Sequence, residues 1–237
     1  MKHQYFGDIS DYKKYSVLRT ISDTGQFKIL VCWMLTSDDK RTDGENNIYL
    51  NNPKTWRSFE PDIFDFIHTQ IILNKKKDLH TVELNNVIPN ATYLWDIVPD
   101  NKKERKSFFD KVKHSINGQD IIFMDPDNGI ATRSIVKGRK NSSKYIFWDE
   151  IGDLWNGDSS LLIYQHFPRV NRMEYTMRLV GEMRRRIEVK NIFSIATSYM
   201  VYFLLTKDQH KKRFESLKGD IDGKWKNEIS VQYFDCG

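Results

Sequence analysis

Cysteine is scarce in this chain of 237 residues, and its two copies are far apart. Cys32 lies in an apolar run, and Cys236 is the penultimate residue. A scaffold held by several disulfides and a zinc site built from cysteines both need more thiols than this. We therefore predict two reduced thiols.

Long apolar runs are also absent. No run approaches the ~18 apolar residues of a membrane-spanning helix. The N-terminal segment MKHQYFGDISD lacks the apolar core of a signal peptide, so a cytoplasmic location is expected. A composition that is 39% hydrophobic and 13% aromatic is sufficient for a sizeable core, and it predicts one domain.

Charge is present in excess and is clustered. The formal net charge is +5 and the sequence pI is about 9.0. Lysine and arginine cluster at residues 75–77, 102–106, 137–140, 184–186 and 211–213. A single cluster is equally compatible with a solvated surface, but several together predict a polyanionic partner such as nucleic acid.

The hydrophobic pattern alternates between helices and buried strands. The predicted helices cover residues 8–25, 102–116 and 174–189. The predicted strands cover residues 28–35, 79–84, 92–98, 121–124, 144–148, 160–165, 191–196 and 200–206. This order predicts an α/β, Rossmann-like domain whose mainly parallel sheet is flanked by helices and ends in a late antiparallel hairpin. Residues from about 45 to 78 are predicted to form an inserted segment.

The stretch IIFMDPDNGI, residues 121–130, is the strongest candidate for a functional site. Its apolar part predicts a strand buried on both faces, and Pro126 ends the strand pairing because it has no N–H group. Asp125, Asp127 and Asn128 then stand at the carboxyl end of the strand, where open α/β sheets bind ligands. An ordinary turn is the alternative.

Other strand ends carry polar residues too, and parallel strands would bring them to the same edge of the sheet. The residues concerned are Asp38, Asp43, Gly44, Asp149, Glu150, His166 and Arg169. Asp149 and Glu150 could instead cap the following helix, and His166 could be a structural residue. Arg169, and Arg139, Lys140 and Lys144 of a basic loop, are candidates for phosphate contacts; a solvated loop is the alternative.

The order of these segments resembles the class I S-adenosylmethionine-dependent methyltransferases. It is most similar to the family that methylates adenine N6 in large-subunit ribosomal RNA. The corresponding segments are HQYFGDISDYKKYSVLR, KILVCWMLTSDDKRTDG, IIFMDPDNG, SLLIYQHFPR and the late hairpin. The family's glycine-rich cofactor loop is reduced here to Gly44. The aromatic ring of its Asp-Pro-Pro-Tyr motif is missing.

The resemblance implies roles for individual residues. Asp125 matches the acid that accepts a hydrogen bond from the target amino group. Asp38, Asp43 and Gly44 fall in the cofactor loop, and Glu83 falls where an acid would bind the cofactor ribose. Phe167 or Trp148 would have to supply the missing stacking ring.

Three functions follow from these observations. The first is methylation of a base amino group, with S-adenosylmethionine as cofactor, Asp125 and Asn128 as acceptors, and basic clusters holding phosphates. The second is a Mg²⁺-dependent nuclease or phosphohydrolase that uses Asp125, Asp127 and Glu150 or Asp149, assisted by Lys144 or His166. The third is a non-catalytic nucleic-acid-binding module.

Overall fold

The computed structural model describes residues 1–38, 44 and 46–235. In this part of the chain the strands are β1 (Ile29–Cys32), β2 (Ala91–Leu94), β3 (Ile121–Met124), β4 (Gly129–Ile130), β5 (Tyr145–Ile146), β6 (Ser160–His166), β7 (Asn191–Ala196), β8 (Met200–Thr206) and β9 (Ser230–Phe234). The α-helices are α1 (Ile9–Arg19), α2 (Pro53–Trp56), α3 (Pro61–His68), α4 (His80–Leu84), α5 (Lys102–His114), α6 (Trp148–Trp155), α7 (Arg172–Ile187) and α8 (Asp208–Trp225).

Seven strands form the main sheet, in the order β2-β1-β3-β6-β8-β7-β9. The neighbours β2, β1, β3 and β6 are parallel, whereas β8 runs antiparallel to both β6 and β7, and β9 runs antiparallel to β7. The expected Rossmann-like α/β fold with a late antiparallel hairpin is confirmed. The carboxyl ends of β1, β3 and β6 consequently lie at one edge.

Both faces of the sheet are buried, because successive side chains of a strand point to opposite sides. Phe123 of β3 joins a core with side chains of α1, α3 and α8, and Met124 joins a core with side chains of α5, α6 and α7. The helices therefore form one layer on each side. The part of the predicted insertion that is described carries α2 and α3, and Ile63 and Ile67 of α3 pack in the first core.

One predicted strand is wrong and another is confirmed only in part. Residues 79–84 contain the helix α4, and just before it the Asp78 carboxylate accepts the backbone N–H of His80 at 3.0 Å. Residues 144–148 do not join the main sheet; only β5 is extended, and it pairs with β4 in a separate two-stranded sheet. The residues that follow β5 begin α6, so Asp149 and Glu150 lie in the first turn of that helix.

No helix in the described residues is both long enough and apolar enough to cross a membrane.

Candidate functional site

A cavity of about 510 Å³ opens where β3 and β6 end, against the first turns of α1. It brings together the predicted residues Asp125, Asp127, Asn128, His166 and Gly44. The other residues of its lining are Met1, Tyr5, Asp8, Ile9, Ser10, Asp11, Lys14, Asn46, Pro126, Tyr164 and Tyr199. The convergence of strand ends expected for a parallel sheet is thus present for β3 and β6.

Asp125 and Asp127 are held by neighbours in the sheet and in α1. The backbone N–H of Asp125 donates to the carbonyl oxygen of Cys32 at 3.1 Å, which extends the β1–β3 pairing by one residue. Lys14 Nζ donates to Asp125 Oδ2 at 2.8 Å. For Asp127, the Thr36 hydroxyl donates to Oδ2 at 2.6 Å, and the amino group of Met1 lies 2.5 Å from Oδ1.

Lys14 is the centre of a buried charge network. It is only 3% exposed, and its ammonium lies 3.0 Å from Asp11 Oδ1 as well as 2.8 Å from Asp125 Oδ2. Burial alone would lower the pKa of Lys14, but the two carboxylates raise it well above its ordinary value. Burial raises the pKa of Asp11 to about 6, even though Lys14 opposes the rise. Lys14 therefore stays charged at neutral pH and neutralises part of the carboxylate charge.

The loop after β3 is fixed by Gln165 of β6. The backbone N–H of Ile130 donates to Gln165 Oε1 at 2.8 Å, and Gln165 Nε2 donates to the carbonyl oxygen of Asn128 at 3.4 Å. Gly129 has a φ of +94°, and a Cβ atom there would overlap the side-chain amide of Gln165. Glycine is therefore required at this position, because any side chain would displace Gln165. His166 follows directly, and partial burial lowers the pKa of its imidazole.

The aromatic rings at the cavity are those of Tyr5, Tyr164 and Tyr199. Tyr199 is 58% exposed and lies in the turn between β7 and β8. Neither ring proposed from the sequence is among the lining residues. Phe167 is buried, and the Trp148 ring is covered by the guanidinium of Arg186, 5.2 Å from its centroid.

The basic loop adjoins the first cavity. Arg139, Lys140 and Lys144 line a second cavity of about 480 Å³, and Asn128 belongs to the lining of both. The backbone N–H of Asn128 donates to the carbonyl oxygen of Lys144 at 2.9 Å, so the two loops are directly joined. Arg169 is exposed and belongs to neither lining.

Glu150 is engaged elsewhere. Arg105 donates two hydrogen bonds to it, from Nε to Oε1 at 2.6 Å and from Nη2 to Oε2 at 2.9 Å. Lys137 Nζ also lies 2.9 Å from Oε1. Arg105 also donates to the carbonyl oxygens of Ser142 and Tyr145. Arg105 therefore connects the basic loop to α5, and its partner Glu150 is not part of the lining of the first cavity. Asp149 is exposed and pairs with Lys137.

The proposed cofactor residues are dispersed. Gly44 lies in the lining of the first cavity, while the Asp38 carboxylate accepts the backbone N–H of Gln4 at 3.2 Å. Asp43 lies outside the described residues. Glu83 belongs to α4 instead of a strand end, and its carboxylate accepts a hydrogen bond from Trp95 Nε1 at 2.7 Å. The cofactor roles of these residues stay predictions.

Sequence reasoning missed the contribution of α1. The sequence predicts this helix, which Asp8 caps by accepting the Ser10 N–H, but neither Asp11 nor Lys14 was assigned to the site. A signal was present, since Lys14 sits between Tyr12 and Tyr15, two rings on the buried face of the helix. A lysine so close to a buried stripe needs a carboxylate partner.

No family model matches this chain, and no curated protein does. Among solved structures, a crystal structure of protein LPL1258 from Legionella pneumophila, described by the family model DUF519, is 10% identical. The similarity covers 97% of each chain with a TM-score of 0.46. We therefore assign the fold class from the strand order and the helix layers of this chain alone.

Proposed function

We propose that the protein is an S-adenosylmethionine-dependent methyltransferase that acts on an amino group of a nucleic-acid base. The observation that carries the proposal is the position of the Asp-Pro-Asp-Asn loop. It lines a cavity at the strand ends and, through Asn128, adjoins a cavity lined by three basic residues. A base in the first cavity and its phosphates along the second would fit this layout.

The acceptor groups suit an amino substrate. Lys14 holds the Asp125 carboxylate by one oxygen, Oδ2. The other oxygen and the Asn128 side-chain carbonyl can accept hydrogen bonds from an exocyclic amino group, which has two N–H donors. Such acceptors orient the amine and stabilise the positive charge that develops on its nitrogen as a bond to carbon forms.

The charge of the cavity fits the proposed cofactor. Its lining carries four carboxylates, those of Asp8, Asp11, Asp125 and Asp127, and one lysine, Lys14. Carboxylates still outnumber cationic groups when the amino group of Met1 is included. S-adenosylmethionine carries a sulfonium and an ammonium, so an acidic cavity favours it over its neutral-sulfur product. The volume, about 510 Å³, is within the range of small-molecule sites.

S-adenosylmethionine supplies the methyl group when bound, and the protein's residues orient the acceptor. Asp8 and Asp11 of α1 line the same cavity as the loop, and we assign them to the cofactor's cationic part. The hydrogen bond from Lys14 fixes the direction of the Asp125 carboxylate. Tyr199, exposed at the rim, supplies the stacking surface that the loop itself lacks, because any base can stack on a phenol ring.

The Mg²⁺-dependent alternative has less support. Lys14 already pairs with Asp125, the Thr36 hydroxyl and the amino group of Met1 contact Asp127, and Arg105 binds Glu150. In the described part of the chain, the one group of three possible ligands close enough to share a metal ion does not include these acids. A metal at the loop would have to displace Lys14.

The test combines ligand binding with methyl transfer. We would measure thermal unfolding with S-adenosylmethionine, S-adenosylhomocysteine, Mg²⁺ or Mn²⁺, and transfer of a labelled methyl group to RNA and DNA, followed by mass spectrometry of the nucleosides. A ligand at a hundredfold excess over its dissociation constant stabilises the folded state by about 2.7 kcal/mol. We expect stabilisation by S-adenosylmethionine and a methylated amino group in the product.

The variants are Asp125→Asn and, as the matched control, Asp149→Asn. Asp149 is an acid of the same type, 73% exposed and outside the lining of the first cavity. We expect Asp125→Asn to lose transfer while binding of the cofactor remains, and Asp149→Asn to behave as the wild type. Stabilisation by a metal ion alone, lost in Asp125→Asn, would overturn the proposal, as would the absence of any response to S-adenosylmethionine.

A further inference from the structure

A second cluster of potential ligands lies outside the lining of the cavity. His3, Asp78 and His80 each offer an atom that lies within 4.8 Å of the atoms offered by the other two. Their side chains are 31%, 24% and 49% exposed, so an ion from solvent can reach them. His3 belongs to the N-terminal segment, whereas the other two residues lie where α4 begins.

The distances match those of a metal site. His80 Nδ1 lies 3.0 Å from Asp78 Oδ1, and His3 Nδ1 lies 3.6 Å from the same oxygen. Bonds of about 2.0–2.1 Å at a tetrahedral zinc ion separate neighbouring ligand atoms by roughly 3.3–3.4 Å. The observed distances lie on either side of this value. Small side-chain rotations would therefore place all three atoms around one ion.

Neighbouring groups hold the ligands in place. The His80 ring stacks on Trp95 with 4.1 Å between centroids, and Trp95 is itself fixed by its hydrogen bond to Glu83. The His3 ring stacks on the other histidine at 5.2 Å. Partners of this kind orient metal ligands and add to metal affinity. Glu83 thus supports this cluster indirectly, through Trp95.

The chemistry of the ligands selects the ion. Two imidazoles and one carboxylate suit Zn²⁺ and similar transition metals, whereas Mg²⁺ prefers oxygen ligands and keeps its waters. Lys76 Nζ lies 2.9 Å from Asp78 Oδ2 and is 57% exposed, so it can leave when an ion binds.

Ion binding would replace existing hydrogen bonds. The Leu79 N–H donates to His3 Nδ1 at 3.3 Å, and the His80 ring contacts Asp78 at 3.0 Å. Each imidazole binds a metal ion through an unprotonated ring nitrogen. A water molecule would complete four-coordination.

We propose that His3, Asp78 and His80 form a binding site for a divalent transition metal ion, with Zn²⁺ as the best fit. The ion fastens the N-terminal segment to α4. Because Tyr5, two residues after His3, lines the cavity, the bound ion also stabilises one wall of that cavity. The site is independent of the reaction proposed above.

The test measures metal binding by the full chain without an affinity tag. Isothermal titration with Zn²⁺ and the visible absorption of bound Co²⁺ report stoichiometry, affinity and coordination. We expect one Zn²⁺ per chain, no comparable binding of Mg²⁺, and a rise of the thermal midpoint with Zn²⁺. In His3→Ala and His80→Ala, affinity should fall by at least roughly tenfold, the lower limit seen when weaker, outer partners are removed.

The matched control is His68→Ala, since His68 lies on α3 and is not among the three ligands. It should bind Zn²⁺ as the wild type does. Two variants at different positions in the chain, each with its far-ultraviolet circular dichroism measured, separate loss of ligands from loss of folding. Zn²⁺ binding that is unchanged in both folded ligand variants, or equal binding of Mg²⁺, would overturn the proposal.

Discussion

Replacing Lys14 by methionine measures how much the buried charge network beside the cavity contributes to stability. Methionine keeps most of the volume of the side chain but removes its charge from between Asp11 and Asp125. Both carboxylates are 2% exposed, so water cannot replace the lost partner. Removal of one partner from a buried ion pair costs about 3–5 kcal/mol. For a domain of this size, such a loss lowers the thermal midpoint by roughly 6–20 °C.

The pH dependence identifies the cause. Without Lys14, the pKa of Asp11 in the folded state rises further above that in the unfolded state, because the charge that opposes the effect of burial is gone. The folded state then binds more protons than the unfolded state, so stability falls as pH rises. The deficit of the variant relative to the wild type should therefore be larger at pH 8 than at pH 5. Addition of Asp125→Asn to Lys14→Met should recover part of the loss.

The assay is urea unfolding at both pH values, with Lys13→Met as the matched control. Lys13 is equally buried, but its partner Glu228 is 37% exposed and remains hydrated when left alone. We expect the control to cost roughly 1 kcal/mol, as for partly exposed ion pairs. Equal losses in the two variants, or a deficit for Lys14→Met that does not change with pH, would refute a buried charge network.

Three further predictions concern other buried groups. The stability of Asp11→Asn relative to the wild type should rise by roughly 2 kcal/mol from pH 4 to pH 7, because the folded-state pKa of Asp11 is raised from 3.8 to about 6 and the wild type loses stability as this carboxyl ionises; parallel stability–pH curves would contradict this. Glu150→Gln should lose about 3–5 kcal/mol in urea unfolding because Arg105 stays buried and unpaired, and a variant as stable as the wild type would show that the pair is unimportant. Burial raises the pKa of Cys32 to about 12, so in Cys236→Ser the remaining thiol should react with a disulfide reagent only after unfolding, and rapid reaction of the native protein would disprove this.

Much of the sheet could be predicted from the sequence. The bounds predicted for β3, β7 and β8 agree with the structure, and β6 is one residue longer than predicted. These strands are continuous apolar runs bounded by polar residues, and their burial on both faces leaves no competing structure. The Asp-Pro-Asp-Asn loop was identified for the same reason, since Pro126 must end the strand pairing. The local sequence is sufficient to predict a strand where every residue of the segment favours the same secondary structure.

Other segments needed contacts between distant residues. Residues 79–84 were predicted to form a strand, but they form a helix whose Leu79 and Val82 side chains are buried against distant parts of the chain. The C-terminal elements α8 and β9 were not predicted, and β9 owes its pairing to β7. Such pairing provides hydrogen-bond partners for the backbone N–H and C=O groups of a strand whose sequence lacks a clear hydrophobic pattern.

The site shows the same division between local and distant effects. Chain order alone determined that Asp125, Asp127 and Asn128 would stand at a strand end. Only tertiary structure decided that Lys14, 111 residues away from Asp125, neutralises its carboxylate, and that Arg105 takes Glu150 away from the cavity. A buried charge needs an opposite charge close to it in the folded structure, however far apart the two residues are in the sequence. The strands could therefore be predicted from the sequence, whereas the charge partners could be identified only from the tertiary structure.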